Sequence, residues 1–559
     1  MASRRHRKGE CGGGLRGDRP HLQLTYGTHV SMISFFLWLG LLYLTILVLE
    51  LFVRPRPPGR GLHARRSLLL AAPVIIFYVT IFMVSYRPVF SFASSAIAYA
   101  LIVTLNNAKY RSLKDPLVFS DFTLLRELID HPQLYIPHIG GYKLIAAGVA
   151  FTSAVVLSTI YEAPVIIRGT FQAWLPTAIY VSTIVGLIYA ITRGPLRPDF
   201  VRMLRGFGPK LKVEQDIAAL SLIVCLTCYF FLAGEKNGQN GGARDRPKTA
   251  VPTPSPDAVP SLPAFRFPDP MPNIVIVQAE SFFDARRLHS DIDRGVLAQY
   301  DRVAAEARFH GRLDVPAWGG NTMRTEFAFL SGLPNAALGY DRFNPYTNLA
   351  KRQTWSMAQM MRSLGYQCTC LHPFDGDFFG RKDVFSNLGF HQFLDIKHFN
   401  GCQRVGPYIG DMAVADKILK RLDDDNGPEF ILAITMENHG SWGADRFCDD
   451  PGIIEGRVPP LGSIELRNYL VHIENTDKMV ERLTTAFRDK SRPTIFCYYG
   501  DHVPNLSAVF NRMGYNDGRT DYFIWSSEGG ESLELDTPVE SLSRLILDAV
   551  FALNSEPPK

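Results

Sequence analysis

A chain of 559 residues is too long for one hydrophobic core, so at least two domains are expected. Its 47% hydrophobic and 20% charged residues are ordinary averages, but the apolar residues crowd into the first 235 positions. The net charge of +5, with no basic stripe interleaved with aromatics, argues against a nucleic-acid partner and points to membrane topology.

Residues 1–29 read as a basic, disordered tail. Residues 30–234 then hold apolar runs at roughly 30–53, 67–86, 88–106, 142–161, 172–192 and 215–233. A bilayer-spanning helix needs about 20 such residues. Runs this poor in charge do not suit a water-soluble core, so a multi-pass α-helical membrane domain of six spans, or five, is expected. Lys and Arg crowd into the loops at 54–66, 107–141 and 193–214, while the loops at 87 and 162–171 have one Arg each. By the positive-inside rule the basic loops are cytoplasmic, with six spans and everything after residue 234 outside. The basic tail (Arg4, Arg5, Arg7, Lys8) conflicts with that, because six spans put it outside too. A five-span arrangement with the tail inside also leaves the C-terminal part outside. Residues 120–129 have a Ser at a cap position and helical apolar spacing, as an interfacial helix or a plain connector would. Residues 235–270 are rich in Gly, Pro and Ser and read as a linker.

Of eight cysteines, Cys225 and Cys228 form a C-x-x-C inside an apolar run, and no such pair has a second pair or a His at zinc-site spacing. Cys402 and Cys448 fall in loop-like sequence, and an extracytoplasmic location would permit them to pair.

From 271 to 559, apolar strand-like runs alternate with amphipathic helical patterns, as in an α/β domain. Four runs end in chemistry-bearing residues. Asn273–Ala279 leads into Glu280-Ser281, Gly365–Leu371 into His372, Glu429–Thr435 into Glu437-Asn438-His439, and Pro493–Tyr499 into Gly500-Asp501-His502. Asp501-His502 alone reads as a turn. Four such strand ends together read as a site, because α/β sheets bind ligands beyond the carboxyl ends of their strands. Between the first two strands, Gly319-Gly320-Asn321-Thr322 precedes a helical pattern. Asn321 or Thr322 can cap that helix, and a hydroxyl there faces a helix start that suits phosphate; an ordinary capped helix fits the same residues. Ile464–Arg488 is an amphipathic helix in which His472 and Glu474 read as packing or surface residues, and Thr537–Glu540 reads as a capping box.

The motifs Ile276-Val-Gln-Ala-Glu280-Ser281, Gly320-Asn-Thr322-Met-Arg-Thr-Glu326-Phe327, His372 with Phe378-Phe379-Gly380-Arg381-Lys-Asp383, Asn438-His439 and Tyr499-Gly500-Asp501-His502 recur in a specific order. The chain therefore resembles the lipoteichoic acid synthase and phosphoglycerol transferase branch of the alkaline phosphatase/sulfatase superfamily. The resemblance covers roughly 271–550 and extends to the N-terminal membrane helices and linker. It implies a sulfatase-like catalytic domain in which Glu280, Thr322, Asp501 and His502 hold one divalent cation, manganese, with Mg2+ or Zn2+ as alternatives. It also makes Thr322 the nucleophile, attacking a lipid-linked phosphodiester. Arg381 would fork onto a phosphate oxygen, and His439 would bind the phosphoryl group or protonate the leaving alcohol. His372 and Phe379 would line the pocket. Phe379 departs from the Trp frequent in the family, and Thr322 lacks the C-x-P-x-R setting of formylglycine sulfatases. The implied activity is transfer of phosphoglycerol from a membrane phospholipid to a glycan or lipid-linked polymer on the extracytoplasmic, periplasmic side of a bacterial inner membrane. A phosphoethanolamine transferase and a sulfatase- or phosphodiesterase-type hydrolase are the rivals; a non-catalytic scaffold fits the retained site residues less well.

Overall fold

A computed structural model describes residues 21–55, 64–124, 141–165, 171–233, 267–350, 354–423, 427–447 and 463–554. Most of the tail, nearly all of the linker, residues 125–129 of the expected interfacial helix and Cys448 lie outside these residues. The chain divides into two compact units, 1–103 with 142–200 and 219–224, and 104–141 with 201–218 and 225–559.

The first unit is helical. It contains α1 (His21–Glu50), α2 (Ala64–Ser85), most of α3 (Pro88–Leu113), α4 (Gly141–Tyr161) and α5 (Phe171–Thr192). Stretches of α1, α2, α3 and α5 are long and apolar enough to cross a membrane, and Gly148–Tyr161 of α4 is a shorter apolar stretch. Leu, Ile, Val and Phe face outward along them, as suits helices whose solvent is lipid. The acidic Glu50 is buried among partners, taking the Tyr99 hydroxyl and pairing with Arg66, as an intramembrane charge must.

The sixth expected span is not a single helix. Residues 213–233 form α7 (Val213–Leu220) and α8 (Leu222–Ala233), bent by 120° after the short α6 (Arg197–Gly206). Ser221 breaks the run with a left-handed φ of 82°. Asp216 is buried, accepting from the Lys210 amide at 3.0 Å and the Tyr229 hydroxyl at 2.6 Å.

The second unit is built on a nine-stranded sheet. Its strands are β1 (Asn273–Ala279), β2 (Phe309–Asp314), β3 (Gln367–Leu371), β4 (Gln392–Leu394), β7 (Glu429–Ile434), β8 (Thr494–Gly500), β9 (Thr520–Ser526), β10 (Leu533–Glu534) and β11 (Thr537–Pro538). A separate hairpin pairs β5 (Arg404–Val405) with β6 (Tyr408–Ile409). The order β10-β2-β9-β8-β1-β7-β3-β4 puts the four predicted strands side by side, with β8, β1, β7 and β3 all parallel. Both faces of this centre are covered, which is why these strands read as continuous apolar runs. Val275 and Val277 point into one core with α9 (Ala298–Glu306), α13 (Asp411–Leu422) and α14 (Ile464–Arg488). Ile274 and Ile276 point into the other, with α10 (Thr322–Ser331), α11 (Met357–Ser363) and α15 (Leu542–Ala552).

Two local expectations change. Thr537 opens no capping box; Thr537–Pro538 is a strand paired with β2, and the last helix starts at Leu542. The loops at 107–124 and 201–212, placed by their charge across the membrane from the α/β domain, fold into the α/β unit. Arg324 Nη2 pairs with Asp115 Oδ2 at 2.9 Å, the Ser507 hydroxyl bonds Arg111 O at 2.8 Å, and Arg342 donates to Leu211 O. A loop packed on that domain lies on its side of any bilayer. The charge count misled because Lys109 is ion-paired to both Asp115 and Asp121, which removes it as a free topogenic charge.

Candidate active site

The parallel centre of the sheet delivers its residues to one edge. Ala279 is in register with Gly500, so Glu280 and Asp501 leave neighbouring strands together. Gly500 is required here: a Cβ would stand 1.9 Å from the Phe282 carbonyl oxygen. Beyond β1 the chain turns through Ser281, at φ 53°, whose amide donates to Asp501 Oδ1 at 2.8 Å and whose hydroxyl donates to Glu280 Oε1 at 2.8 Å. His502 Nε2 lies 3.3 Å from Asp501 Oδ2 and 3.5 Å from Glu280 Oε1. One ligand atom from each of Glu280, Asp501 and His502 falls within 4.8 Å of the others, all three side chains being buried.

Thr322 is the first residue of α10, and its Oγ1 is 3.4 Å from His502 Nε2. The helix is held to β8 by the Thr325 hydroxyl, which donates to Asp501 O at 2.9 Å. Asn321 does not cap it with its side chain: at φ 64° and ψ 37° the residue is left-handed and makes no capping bond. The expected side-chain cap is therefore absent, and the positive end of the helix stays beside the Thr322 hydroxyl.

The electrostatics are those of an unfinished site. Burial, then Glu280, pushes the Asp501 carboxyl up to about 7. Burial works to lower His502, but Asp501 and Glu280 outweigh it and raise it. Asp501 Oδ2 is buried without a hydrogen bond of good geometry. An orphaned carboxylate oxygen among a second carboxylate, an imidazole and a hydroxyl is a donor set that fits one divalent cation.

The other predicted pocket residues are nearby in the fold but differently engaged. Arg381 does not offer a free fork. It begins α12 (Arg381–Asn387), is 3% exposed, and pairs with Glu326 through Nη2–Oε1 at 2.7 Å and Nε–Oε2 at 3.3 Å. Its Nη1 faces His372 Nε2 at 3.4 Å, while His372 Nδ1 donates to Ile434 O at 3.1 Å. Burial, then Arg381, holds His372 well below its usual value. Phe379, at φ 57°, puts its ring 5.3 Å from the Arg381 guanidinium. His439 Nδ1 donates to Gly440 O at 2.9 Å and lies 3.3 Å from the Tyr408 hydroxyl. Burial lowers it to about 4, so the ring is neutral.

Sequence reading passed over the partners of these groups. Glu326 was visible in a motif but had no role, because only the fold brings it to Arg381. Glu437 Oε1 accepts from Asn475 at 2.8 Å and from His472 Nδ1 at 3.0 Å, and Arg446 Nε donates to His472 Nε2 at 2.8 Å. Burial pushes Glu437 up to about 7 and raises its neighbour Asp411 well above its usual range. The expectation that His472 packs and does not ligate agrees with these contacts.

Residues 272–546 match the family model named Sulfatase. The capsular polysaccharide biosynthesis protein RkpI of Rhizobium meliloti (strain 1021) is 26% identical over 480 residues, 84% of each chain. A protein of the same strain named for cyclic β-1,2-glucan modification is 29% identical over 249 residues, 44% of this chain and 38% of that one. The integral membrane lipooligosaccharide phosphoethanolamine transferase A of Neisseria meningitidis shares the fold with a TM-score of 0.51 at 12% identity, over 94% of this chain and 95% of that one. Among the described residues, four apolar helices of membrane length precede an α/β domain that is similar to the Sulfatase family over just under half of the chain.

Proposed function

We propose that this protein is a membrane-anchored, metal-dependent transferase that moves phosphoglycerol, or a similar phospho-alcohol, from a membrane phospholipid to an extracytoplasmic glycan. The observation that carries the reading is the Thr322 hydroxyl, at a helix start without a side-chain cap, 3.4 Å from His502 in a buried cluster with an orphaned Asp501 oxygen. Glu280, Asp501, His502 and Thr322 would hold one divalent cation, manganese by the resemblance. When bound, it lowers the hydroxyl pKa and neutralises charge on the phosphoryl oxygens.

The chain's own residues do the rest. Thr322 Oγ1 bonds to phosphorus while the bond to the diacylglycerol oxygen breaks, releasing diacylglycerol and leaving the head group on Thr322 as a phosphodiester. The start of α10 favours the negative phosphoryl group through its dipole and amides. His439 is neutral with Nδ1 committed to Gly440 O, so Nε2 is the atom that can take the hydroxyl proton and return it to the leaving oxygen. The acceptor hydroxyl then displaces the threonine in the reverse sense. Arg381, already neutralised by Glu326, serves through Nη1 and through its hold on His372 more than as a free phosphate fork.

The relatives named for capsular polysaccharide and cyclic glucan support a glycan acceptor. Five crossings, α1 to α5, would leave the basic tail on the cytoplasmic side and the α/β domain on the periplasmic side of a bacterial inner membrane, with the Arg-rich 54–66 loop on the domain's side against the positive-inside rule. The name of the Neisseria transferase favours a second reading, phosphoethanolamine as the transferred group.

The test is incubation of the purified protein with phosphatidylglycerol or phosphatidylethanolamine vesicles and Mn2+, followed by mass analysis of the Thr322 peptide. A phosphoglycerol adduct, absent in Thr322→Ala, is expected. A phosphoethanolamine adduct selects the second reading. Normal transfer by Thr322→Ala removes the nucleophile assignment, and product formed only with water selects a hydrolase.

A further inference from the structure

Beside the nucleophile segment the α/β unit contains a second concavity, a cavity of about 530 Å³ that the chemistry above does not use. Its walls come from three places: Lys114 and Asp115 after α3, the Asp314–Trp318 stretch after β2 with Arg324 of α10, and Asp517–Arg519 before β9. It is tied to the candidate active site through the chain itself. Trp318 and Arg324 flank Thr322, and the Gly319 amide bonds Val503 O at 3.0 Å, directly after His502.

The lining is charged but balanced. Lys114, Arg324 and Arg519 face Asp115, Asp314 and Asp517, three cations against three carboxylates. The guanidinium groups are already committed, Arg324 to Asp115 at 2.9 Å and Arg519 to Asp517 at 2.9 Å and Asp536 at 3.2 Å. Lys109 and Arg324 overcome burial and hold the Asp115 carboxyl at about 2, so that pair stays ionised. A cavity without net charge gives an anionic head group no Coulombic reason to enter.

One wall is aromatic. The Trp318 indole is held edge-on by Phe510 at 5.8 Å, and Gly518 lets it seat closely, since a Cβ there would stand 2.9 Å from the ring. The Lys114 ammonium lies 5.8 Å from the ring centroid. The indole Nε1 is buried yet makes no hydrogen bond. An indole wall among carboxylates and the part-exposed Arg519 guanidinium complements a sugar, whose C–H groups pack on the indole and whose hydroxyls bond to the carboxylate oxygens.

We propose that this cavity is the acceptor subsite, taking a neutral glycan whose hydroxyl reaches the phosphodiester on Thr322. The proposal rests on the transferase reading and names the acceptor class for it.

The test is titration of the full-length protein in detergent with a neutral gluco-oligosaccharide, followed by tryptophan fluorescence, with acceptor KM measured in parallel. Saturable quenching is expected in the wild type. It should be lost in Trp318→Phe and weakened about tenfold in Arg519→Ser, with a matching rise in acceptor KM. Arg519 is 40% exposed, so its variant should fold, which keeps the test decisive even if Trp318 variants do not. Equal oligosaccharide affinity in wild type and both variants overturns the proposal. So does quenching by glycerol phosphate that fades with salt while the oligosaccharide gives none, the result an anionic donor site would produce. Failure of the transferase reading shows separately, as no diacylglycerol release by the wild type from either phospholipid with Mn2+.

Discussion

Two buried acidic clusters lie in the same domain and have opposite characters. Glu326 is closed: Arg381 grips both of its oxygens, Tyr346 donates to one, and Gln278 approaches the other at 3.4 Å. Glu280, Asp501 and His502 are open, with two carboxylates, one imidazole, a raised Asp501 and an oxygen lacking a bond. Both are buried carboxylate sites. The difference is whether the protein completes its own hydrogen bonding, and the incomplete cluster is where an external cation and phosphate have something to add. Substitutions should therefore cost function in one cluster and stability in the other.

The largest separation is expected from Thr322→Ala, which should lower transfer on the order of a thousandfold or more, with little change in melting temperature. Head-group release from labelled phospholipid and a thermal scan measure the two sides. Glu326→Ala should do the reverse, leaving a buried unpaired Arg381 and costing about 3–5 kcal/mol in urea unfolding. If Glu326→Ala unfolds like the wild type, the closed cluster is not structural.

A third group tests the pH behaviour of the closed kind. Glu437 is raised in the folded state to about 7 by burial, so the fold binds a proton that the unfolded chain has released. Its contribution is fully present below the unfolded value of about 4.5 and is lost as pH rises through about 7. Unfolding free energy should fall across that window by on the order of 3 kcal/mol, and Glu437→Gln should flatten the slope.

Smaller effects sharpen the open cluster. Ser281→Ala removes the hydroxyl that orients Glu280 and should weaken cation binding about 10–100-fold by calorimetry, with the fold intact. Asp501→Asn should lose the cation yet raise the stability of chelator-treated protein by about 1 kcal/mol, because a crowded carboxylate is replaced by a neutral group. A loss of stability there would place Asp501 with the closed cluster.

Much of the site was legible in the primary structure. Apolar strands β1, β3, β7 and β8 announce themselves by composition, and each ends at the residue type that the edge displays. The pairings were not legible. Arg381 reads as a phosphate fork until Glu326, 55 positions away, is seen holding it. Arg324 is only a motif position in the sequence until Asp115, 209 positions away, is seen beside it. The same blindness misled the topology, where a loop rich in Lys and Arg was counted as charge although Asp115 and Asp121 neutralise part of it.

By itself, then, the sequence determined the apolar helices, the α/β pattern and the order of the motifs, because those depend on local periodicity and on what a strand or span must bury. Only the tertiary structure decided which charges are free. Ion pairing depends on distances between residues far apart in the chain, and those distances leave Asp501 unfinished, Arg381 satisfied and the cavity beside Trp318 electrically neutral.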